Sequence, residues 1–329
     1  MDKLYQDSKI IKILTAQAKH EKVDSADIAK VDEHIKALAS DPNPHNRYLI
    51  AQIMAFTVNN MTRERTNFLS LIADEKRVPY GQKAAFRIRQ DGIRAFIQAK
   101  GSTTARSKVA SKQLTVDTLE VSARPAINMV ELKTGQSNMA ELINEATAKM
   151  EAKYYEQIQK VLSAVAATWS APFYGAGSGL VKATLDPMIT FWQRTGGVSL
   201  IGDIELVRQF AELTGFNSNA VYSDNIMDEQ NTNGFIGKYI GANVVSLTNP
   251  YPDESSTTPV FSTKDLFIVP TAADASMRPL KVVFEGDVDS VDSLNIDDAV
   301  FEVCLRQFFN AAVVVGERPY MSVYHDQSV

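Results

Sequence analysis

Residues 137–169, Ser137 to Trp169, read SNMAELINEATAKMEAKYYEQIQKVLSAVAATW, the longest uninterrupted helical pattern in the chain. The apolar residues Met139, Leu142, Ile143, Ala146, Met150, Tyr154, Ile158, Val161, Leu162, Val165 and Trp169 recur at spacings of three and four. That spacing is one stripe on a helix of period 3.6. Ser137 stands where an N-cap would, and Glu141 and Glu145 suit the positive end of the helix dipole. Ala171-Pro172 and then Gly175 to Gly179 stop the pattern. At 1.5 Å per residue such a helix is about 45–50 Å long, more than a small domain needs. Lys149, Glu151, Lys153, Glu156 and Lys160 point away from the stripe. The stretch predicts a strut with one wet face, packed through Leu142, Met150, Ile158, Val161, Leu162 and Val165, to which separate lobes attach.

Composition bounds what those lobes can be. A chain of 329 residues, 45% hydrophobic and 22% charged, has material for two or more of them. Its net charge of -5 argues against a nucleic-acid binder, which would be basic over its surface. Cys304 is the single cysteine, so a disulfide within one chain is impossible and a reduced, intracellular site of assembly is expected. The opening MDKLYQDSKI is polar, with no apolar core of a signal peptide. No apolar run approaches the ~18 residues of a membrane span.

On the N-terminal side of the strut, residues 83–132 alternate. Phe86 and Ile88 are interleaved with Arg87 and Arg89; after Asp91-Gly92 the pattern resumes at Ile93, Ala95 and Ile97. A return limb runs through Leu114, Val116, Leu119, Val121 and Ile127, with a slip of phase near Thr118 that suggests a bulge. Between the limbs lies a polar, basic tip carrying Lys100, Arg106, Lys108 and Lys112. A two-stranded ribbon is marginal by itself in water and needs a surface to lie on. Another subunit is a natural surface, an ordinary sheet-edge hairpin is the plain alternative, and a nucleic-acid arm ranks lower because the tip has no aromatic residue to stack on a base. Residues 1–82 read as several helices with little shared core, broken at Asp41 to Pro44. They are either a small helical domain or an arm covered by neighbouring chains.

On the C-terminal side, residues 171–285 read as an α/β lobe. A short helix Leu185–Gln193 carries Pro187 in its first turn, Gly197–Gly202 is a strand, and Asp203 caps a helix through Leu213 to Gly215. A polar loop from Asn217 to Asn233 follows, then strands around Val244–Leu247, Asp265–Pro270 and Leu280–Glu285. Residues 286–329 hold long β-branched and aromatic strands expected to pack back on the strut.

Chemistry is thin. His20, His34, His45 and His325 are scattered and read as solvated. Gly175 to Gly179 lacks the Lys-Ser/Thr of a phosphate loop and reads as a hinge. Asp287, Asp289, Asp292, Asp297 and Asp298 lack the calcium-loop spacing and read as a solvated acidic turn, and Cys304 reads as a core residue.

The order of elements, together with "GFIGKYIGANVVSLTNPY" at 234–251 and "FEVCLRQFFNAAVVVGERPYMSV" at 301–323, resembles major capsid proteins of tailed bacteriophages, of the Hong Kong 97-type fold. The resemblance covers roughly residues 80 to 325. It implies an α+β chain with a helical N-terminal arm (1–82), an E-loop ribbon (83–132), a P-domain spine helix (133–170), an axial A-domain (171–285) and P-domain C-terminal strands (286–329). It further implies hexamers and pentamers closing an icosahedral shell around double-stranded DNA, without catalysis or cofactor. The basic ribbon tip would meet a neighbour, and Asn217, Asn219, Asp224, Asn231 and Asn233 would lie near the shell's axes. A scaffolding protein, a portal and a decoration protein are the partners such shells take, with assembly in the host cytoplasm. An encapsulin-type compartment shell is the alternative on the same fold, and an enzyme of unknown type the remote one.

Overall fold

The computed structural model describes residues 2–41, 43–65, 72–90, 97, 107, 110–134, 138–213, 236–247, 249–252, 255–271, 278–295, 300–314 and 319–328. Three helices open the chain: α1 (Asp2–Ala18), α2 (Ser25–Ser40) and α3 (Pro44–Arg65). Strands β1 (Ala73–Val78), β2 (Ala84–Gln90), β3 (Ala110–Val116), β4 (Leu119–Ala123) and β5 (Ala126–Asn128) lead through α4 (Met129–Thr134) to α5 (Met139–Ala166). Then come β6 (Tyr174–Gly177), α6 (Lys182–Gln193), β7 (Val198–Gly202), α7 (Ile204–Arg208), β8 (Lys238–Tyr239), β9 (Ala242–Ser246) and β10 (Asp265–Pro270). The chain ends with β11 (Leu280–Asn295), β12 (Val300–Val313) and β13 (Ser322–Asp326).

The strut is α5, 28 residues and so about 42 Å long. Asn138 caps it rather than Ser137: its backbone is extended and its side-chain oxygen accepts from the N–H groups of Ala140 and Glu141. The stripe is buried at Met150, Ile158 and Leu162, whereas Leu142, Val161 and Val165 are only half buried against the core. Ala140, Thr147, Ala152, Tyr155 and Ala166, outside the expected stripe, are buried instead. The physical reason is that α5 packs against α1 and α3 as well as against β12 and β4. A single apolar stripe cannot serve both.

Beneath the strut lies a five-stranded sheet in the order β1-β11-β12-β4, with β5 also on β12. β12 alternates along its whole length: Phe301, Val303, Leu305, Gln307, Phe309, Ala311 and Val313 are buried, the residues between them half exposed. Cys304 falls on the half-exposed side, opposite Val291, and is not the core residue its apolar neighbours suggested. β11 revises two expectations at once. Leu280–Glu285 belongs to this sheet, not to the α/β lobe, and the acidic stretch after it continues as strand through a bulge between Glu285 and Asp289. Its pairing with β12 supplies backbone partners that an Asp- and Ser-rich sequence does not advertise. β1, expected within a helical region, pairs parallel with Leu280–Glu285 instead. There Ala73 is fully buried and the Arg77 guanidinium lies 4.4 Å from the Phe284 ring centroid.

The N-terminal helices share the strut's core after all. Leu14 of α1 and Ile50, Ala51, Met54, Val58 and Met61 of α3 join one buried cluster with Ile143, Met150, Ile158 and Phe309. α2 begins where Asp24 accepts from the Ala26 N–H. α3 begins where Asn43 accepts from the His45 N–H, with Pro44 at a position that needs no N–H.

The second sheet has six strands in the order β6-β13-β10-β7-β9-β8. The run of β10 is buried on both faces: Phe267 and Val269 face the strut's cluster, Leu266 and Ile268 face α6 and α7. β13 pairs with β10 and β6, so the C-terminal residues divide between the two sheets instead of all returning to the strut. Ser322 shows why: its hydroxyl accepts from the Trp192 indole at 2.7 Å, inside the α6 layer. Pro187 lies inside α6, which starts three residues earlier than expected, and α7 passes after Arg208 into a 3₁₀ turn, Gln209–Glu212. Gly175 to Gly177 is strand, not hinge. A Cβ on Gly175 would stand 2.8 Å from Met188 Sδ, so glycine there permits the close approach of α6 to the sheet.

Candidate assembly surfaces

β2 and β3 form a separate two-stranded ribbon, paired from Ala84↔Val116 to Gln90↔Ala110. The phase slip near Thr118 is the point where the chain leaves the ribbon and β4 begins pairing with β12. The ribbon's base sits on its own body. Ala84, Phe86 and Val116 pack on Val283 of β11, with Val78, Leu114 and Ala312 around them. Phe86 is held between two ammonium groups, Lys76 Nζ at 4.8 Å and Lys281 Nζ at 5.7 Å from its ring centroid. Lys281 is fully buried and paired with Asp74 at 3.1 Å, as a buried cation requires.

The ribbon's two limbs meet at one carboxylate. Oε1 of Glu285 accepts from the Gly81 N–H at 2.7 Å, just before β2, and Oε2 accepts from the Thr118 hydroxyl at 2.5 Å, just after β3. The Thr118 hydroxyl and then the Gly81 N–H hold the Glu285 carboxyl below the ordinary carboxylate range. Next to it, Gly286 adopts φ +70 and the Tyr80 ring lies where its Cβ would be, 2.3 Å from the nearest ring carbon. The Tyr80 hydroxyl donates to the Asp287 carbonyl at 2.8 Å. The sequence marks Thr118 by its phase slip and Asp287 by its acidic neighbours, but not their joining with Glu285, Gly81 and Tyr80, because the partners lie some 170 to 200 positions apart.

Of the predicted ribbon-tip cations, Lys112 is exposed on β3 opposite Ile88. Lys100, Arg106 and Lys108 lie outside the described residues, as do Asn217, Asn219, Asp224, Asn231 and Asn233. The strut residues are brought together as described, with Val161 and Val165 at the margin of the core. Two grooves flank the strut's N-terminal half. One, about 620 Å³, runs past Arg124, Leu142, Met150, Lys153 and Pro252; the other, about 940 Å³, past Gln17, His20, Glu141, Asn144 and Tyr251. Glu145 and Lys149 stand on the ridge between them, and Lys149 Nζ donates to the Pro252 carbonyl at 3.2 Å.

Among the described residues, the acidic side chains Asp287 and Asp289 after Glu285 are paired with cations rather than gathered into a site. Asp287 pairs with Arg63 at 2.7 Å and Asp289 with Arg306 at 3.2 Å; Asp297 and Asp298 lie outside the described residues. No cluster of three or more metal-ligating side chains occurs among the described residues. No described helix is long and apolar enough to cross a membrane. His325 is not simply solvated: its Nδ1 stands 2.6 Å from Asp265 Oδ1, tying β13 to β10.

Comparison with known proteins adds two kinds of finding. Residues 1–323 match the profile of a family described as "SPbeta prophage-derived putative capsid protein YonB". No curated protein matches the chain. Among solved structures, the capsid of a native GTA particle is similar at 9% identity and a TM-score of 0.55, over 79% of this chain and 90% of that one. The mature capsid of bacteriophage PhiM1 is similar at 9% identity and a TM-score of 0.52, over 79% and 86%. A virus-like particle from Pyrococcus furiosus, at 11% identity over 82% and 96%, reaches only 0.46.

Proposed function

This chain belongs to the YonB family of prophage-derived capsid proteins, and from that premise we propose that it is the major capsid protein whose hexamers and pentamers close an icosahedral shell around double-stranded DNA. Its fold is the Hong Kong 97-type capsid fold, and its role is structural. A shell protein needs surfaces that complement copies of itself about closed symmetry axes, not a catalytic cleft.

The observation that carries the reading is the ribbon's charge set against its footing. Residues 83–112 hold the cations Lys83, Arg87, Arg89, Arg94, Lys100, Arg106, Lys108 and Lys112 and one acid, Asp91, in a chain whose net charge is -5; Lys83 pairs with Asp117 just beyond them at 2.6 Å. Among the described residues, the ribbon's apolar cluster with its own body is formed at its base, by Ala84, Phe86 and Val116. A cationic ribbon on an acidic body is complementary to a second copy of that body, where opposite charge steers docking and sets register. The tip cations Lys100, Arg106, Lys108 and Lys112 make that contact, and the polar 217–233 loop meets its counterparts about the five- and six-fold axes. An acidic wall encloses the DNA without sequence-specific binding. A scaffolding protein, a portal and a decoration protein complete the particle, which assembles in the host cytoplasm.

The test is sedimentation and electron microscopy of the purified full-length chain. Closed hollow particles of one or a few diameters are the expected result. A chain that stays monomeric at every concentration, in the presence and absence of its co-expressed neighbouring genes, would overturn the reading.

A further inference from the structure

Both limbs of the ribbon leave the body within one side chain's reach of each other, and that side chain is Glu285. Its two oxygens are divided between them: one takes the Gly81 N–H at 2.7 Å, the other the Thr118 hydroxyl at 2.5 Å. Glu285 stands at the edge of the bulge in β11, where its register with β12 shifts. The next two residues complete the fixture. Gly286, at φ +70, leaves room for the Tyr80 ring, and the Asp287 carbonyl accepts from the Tyr80 hydroxyl. Tyr80 also meets Phe308 edge-on at 5.9 Å, so the incoming turn is fastened to β11 and β12 together. On the outgoing side, Asn310 donates to the Asp117 carbonyl at 2.6 Å.

A regular bulge would need none of this, and a ribbon merely tethered by its chain would swing. We propose that the bulge Glu285-Gly286-Asp287 is the aiming device of the ribbon, with Glu285 a positioning residue that fixes the ribbon's direction and through it the diameter of the shell. The inference rests on the assembly reading above. Leverage is its physical content. The limb from Ala84 to Gln90 spans about 20 Å at ~3.4 Å per residue, so a rotation of about 10° at the root displaces its far end by about 3–4 Å. That exceeds the tolerance of a packed contact, and in a closed shell each subunit repeats the error about every axis. Because Glu285 lies outside the buried clusters, its removal acts on direction far more than on the stability of the body.

The experiment compares Glu285→Gln, Thr118→Val and Thr118→Ser with the unaltered full-length chain by three readouts: melting temperature, trypsin cleavage at Lys83 in unassembled subunits, and particle diameter. Glu285→Gln keeps the side chain's length but turns an amide N–H₂ on one of the two donors. Thr118→Val removes the hydroxyl alone, and Thr118→Ser restores it. The expected result is cleavage at Lys83 about tenfold faster in Glu285→Gln and Thr118→Val, with melting temperature shifted by only a few degrees. The same two variants lose the single size class of particles, and Thr118→Ser keeps it. Uniform particles of unaltered diameter from Glu285→Gln and Thr118→Val, with cleavage unchanged, would overturn the proposal. So would a fall in melting temperature as large as that of Ile158→Ala, which would assign Glu285 to general stability. If the unaltered chain forms no shell at all, the assembly reading fails, and the cleavage arm still decides whether Glu285 holds the ribbon's root.

Discussion

The phenol oxygen of Tyr154, on the strut, stands 2.7 Å from Oε1 of Gln307, on the central strand below it, and both residues are fully buried. The Tyr154 ring is in turn held by Phe284 at 5.7 Å edge-on and Phe309 at 4.7 Å. Burial pushes the Tyr154 phenol well above its ordinary value, so it stays a donor at any pH the fold survives.

Tyr154→Phe removes that donor and keeps the ring. Gln307 Nε2 already lacks a hydrogen-bond partner, so the variant strands the whole amide in an apolar layer. The expected loss is about 1–3 kcal/mol in urea unfolding. Tyr154→Phe with Gln307→Leu should recover most of it, because two apolar groups leave nothing unsatisfied. Additive losses in the double variant would show that the pair does not act as a unit.

Ile158 is fully buried in the strut and Val161 only partly so. Ile158→Asp should therefore cost more than about 4 kcal/mol and give insoluble or unassembled chain, while Val161→Asp, able to turn its charge to water, should cost less than half as much. Equal solubility and equal melting temperatures for the two would mean that the buried face of the strut is misassigned.

Asp326 joins three segments at the end of β13. Its Oδ1 accepts from the Gly179 N–H at 2.7 Å and the Ser328 N–H at 2.8 Å, and its Oδ2 accepts from the Gln209 amide at 3.1 Å. Burial alone would raise the carboxyl; the donors on Ser328, Gln209 and Gly179 outweigh it and hold it at about 2. An unfolded Asp titrates near ~3.9, so the stabilisation is complete above about pH 5 and drains away as pH falls towards 2. Unfolding midpoints measured between pH 7 and pH 2.5 should fall less steeply in Asp326→Asn than in the unaltered chain. Parallel curves would remove Asp326 from the account of acid sensitivity.

A Cβ on Gly177 would stand 2.5 Å from the Tyr324 hydroxyl and 2.6 Å from Val181 Cγ2. The hydroxyl cannot simply move, since it donates to the Gly179 carbonyl at 2.6 Å and accepts from the Val181 N–H at 2.9 Å. Gly177→Ala should lose about 1–3 kcal/mol by overpacking. Combining it with Tyr324→Phe should cost less than the two losses added, and calorimetry of the four chains measures that coupling.

Deleting Gly101 to Val109 removes Arg106 and Lys108 and leaves β2 and β3 intact. The subunit should fold with an unchanged melting temperature and fail to hold closed particles at the salt concentration where the full chain does. Shells of full thermal stability from the deletion would take the ribbon tip out of the assembly contact.

Some of this is legible in the sequence alone. The strut announces itself because helical packing writes a period of 3.6 into consecutive residues, and Asp203 caps α7 because a cap is satisfied within three residues: its carboxylate takes the Glu205 N–H at 3.0 Å. The strand β10 reads as five apolar residues in a row because both its faces are covered. Those are local constraints, and each leaves its mark near the residue that obeys it.

What only the tertiary structure decided is which strands share a sheet and where the ribbon is fastened. Ala73–Val78 has no strand-like composition and becomes one by filling a slot beside Leu280–Glu285, two hundred residues on. Leu280–Glu285 and β13 join other sheets than their place in the sequence suggests, because a strand's backbone partners can come from anywhere in the chain. Glu285 looked like the last residue of an ordinary strand, and its role follows only when Gly81 and Thr118 arrive on either side of it. A sequence records the periodicity of a surface to be buried; the choice of what buries it, and at what angle, is made by contacts between residues that are distant along the chain.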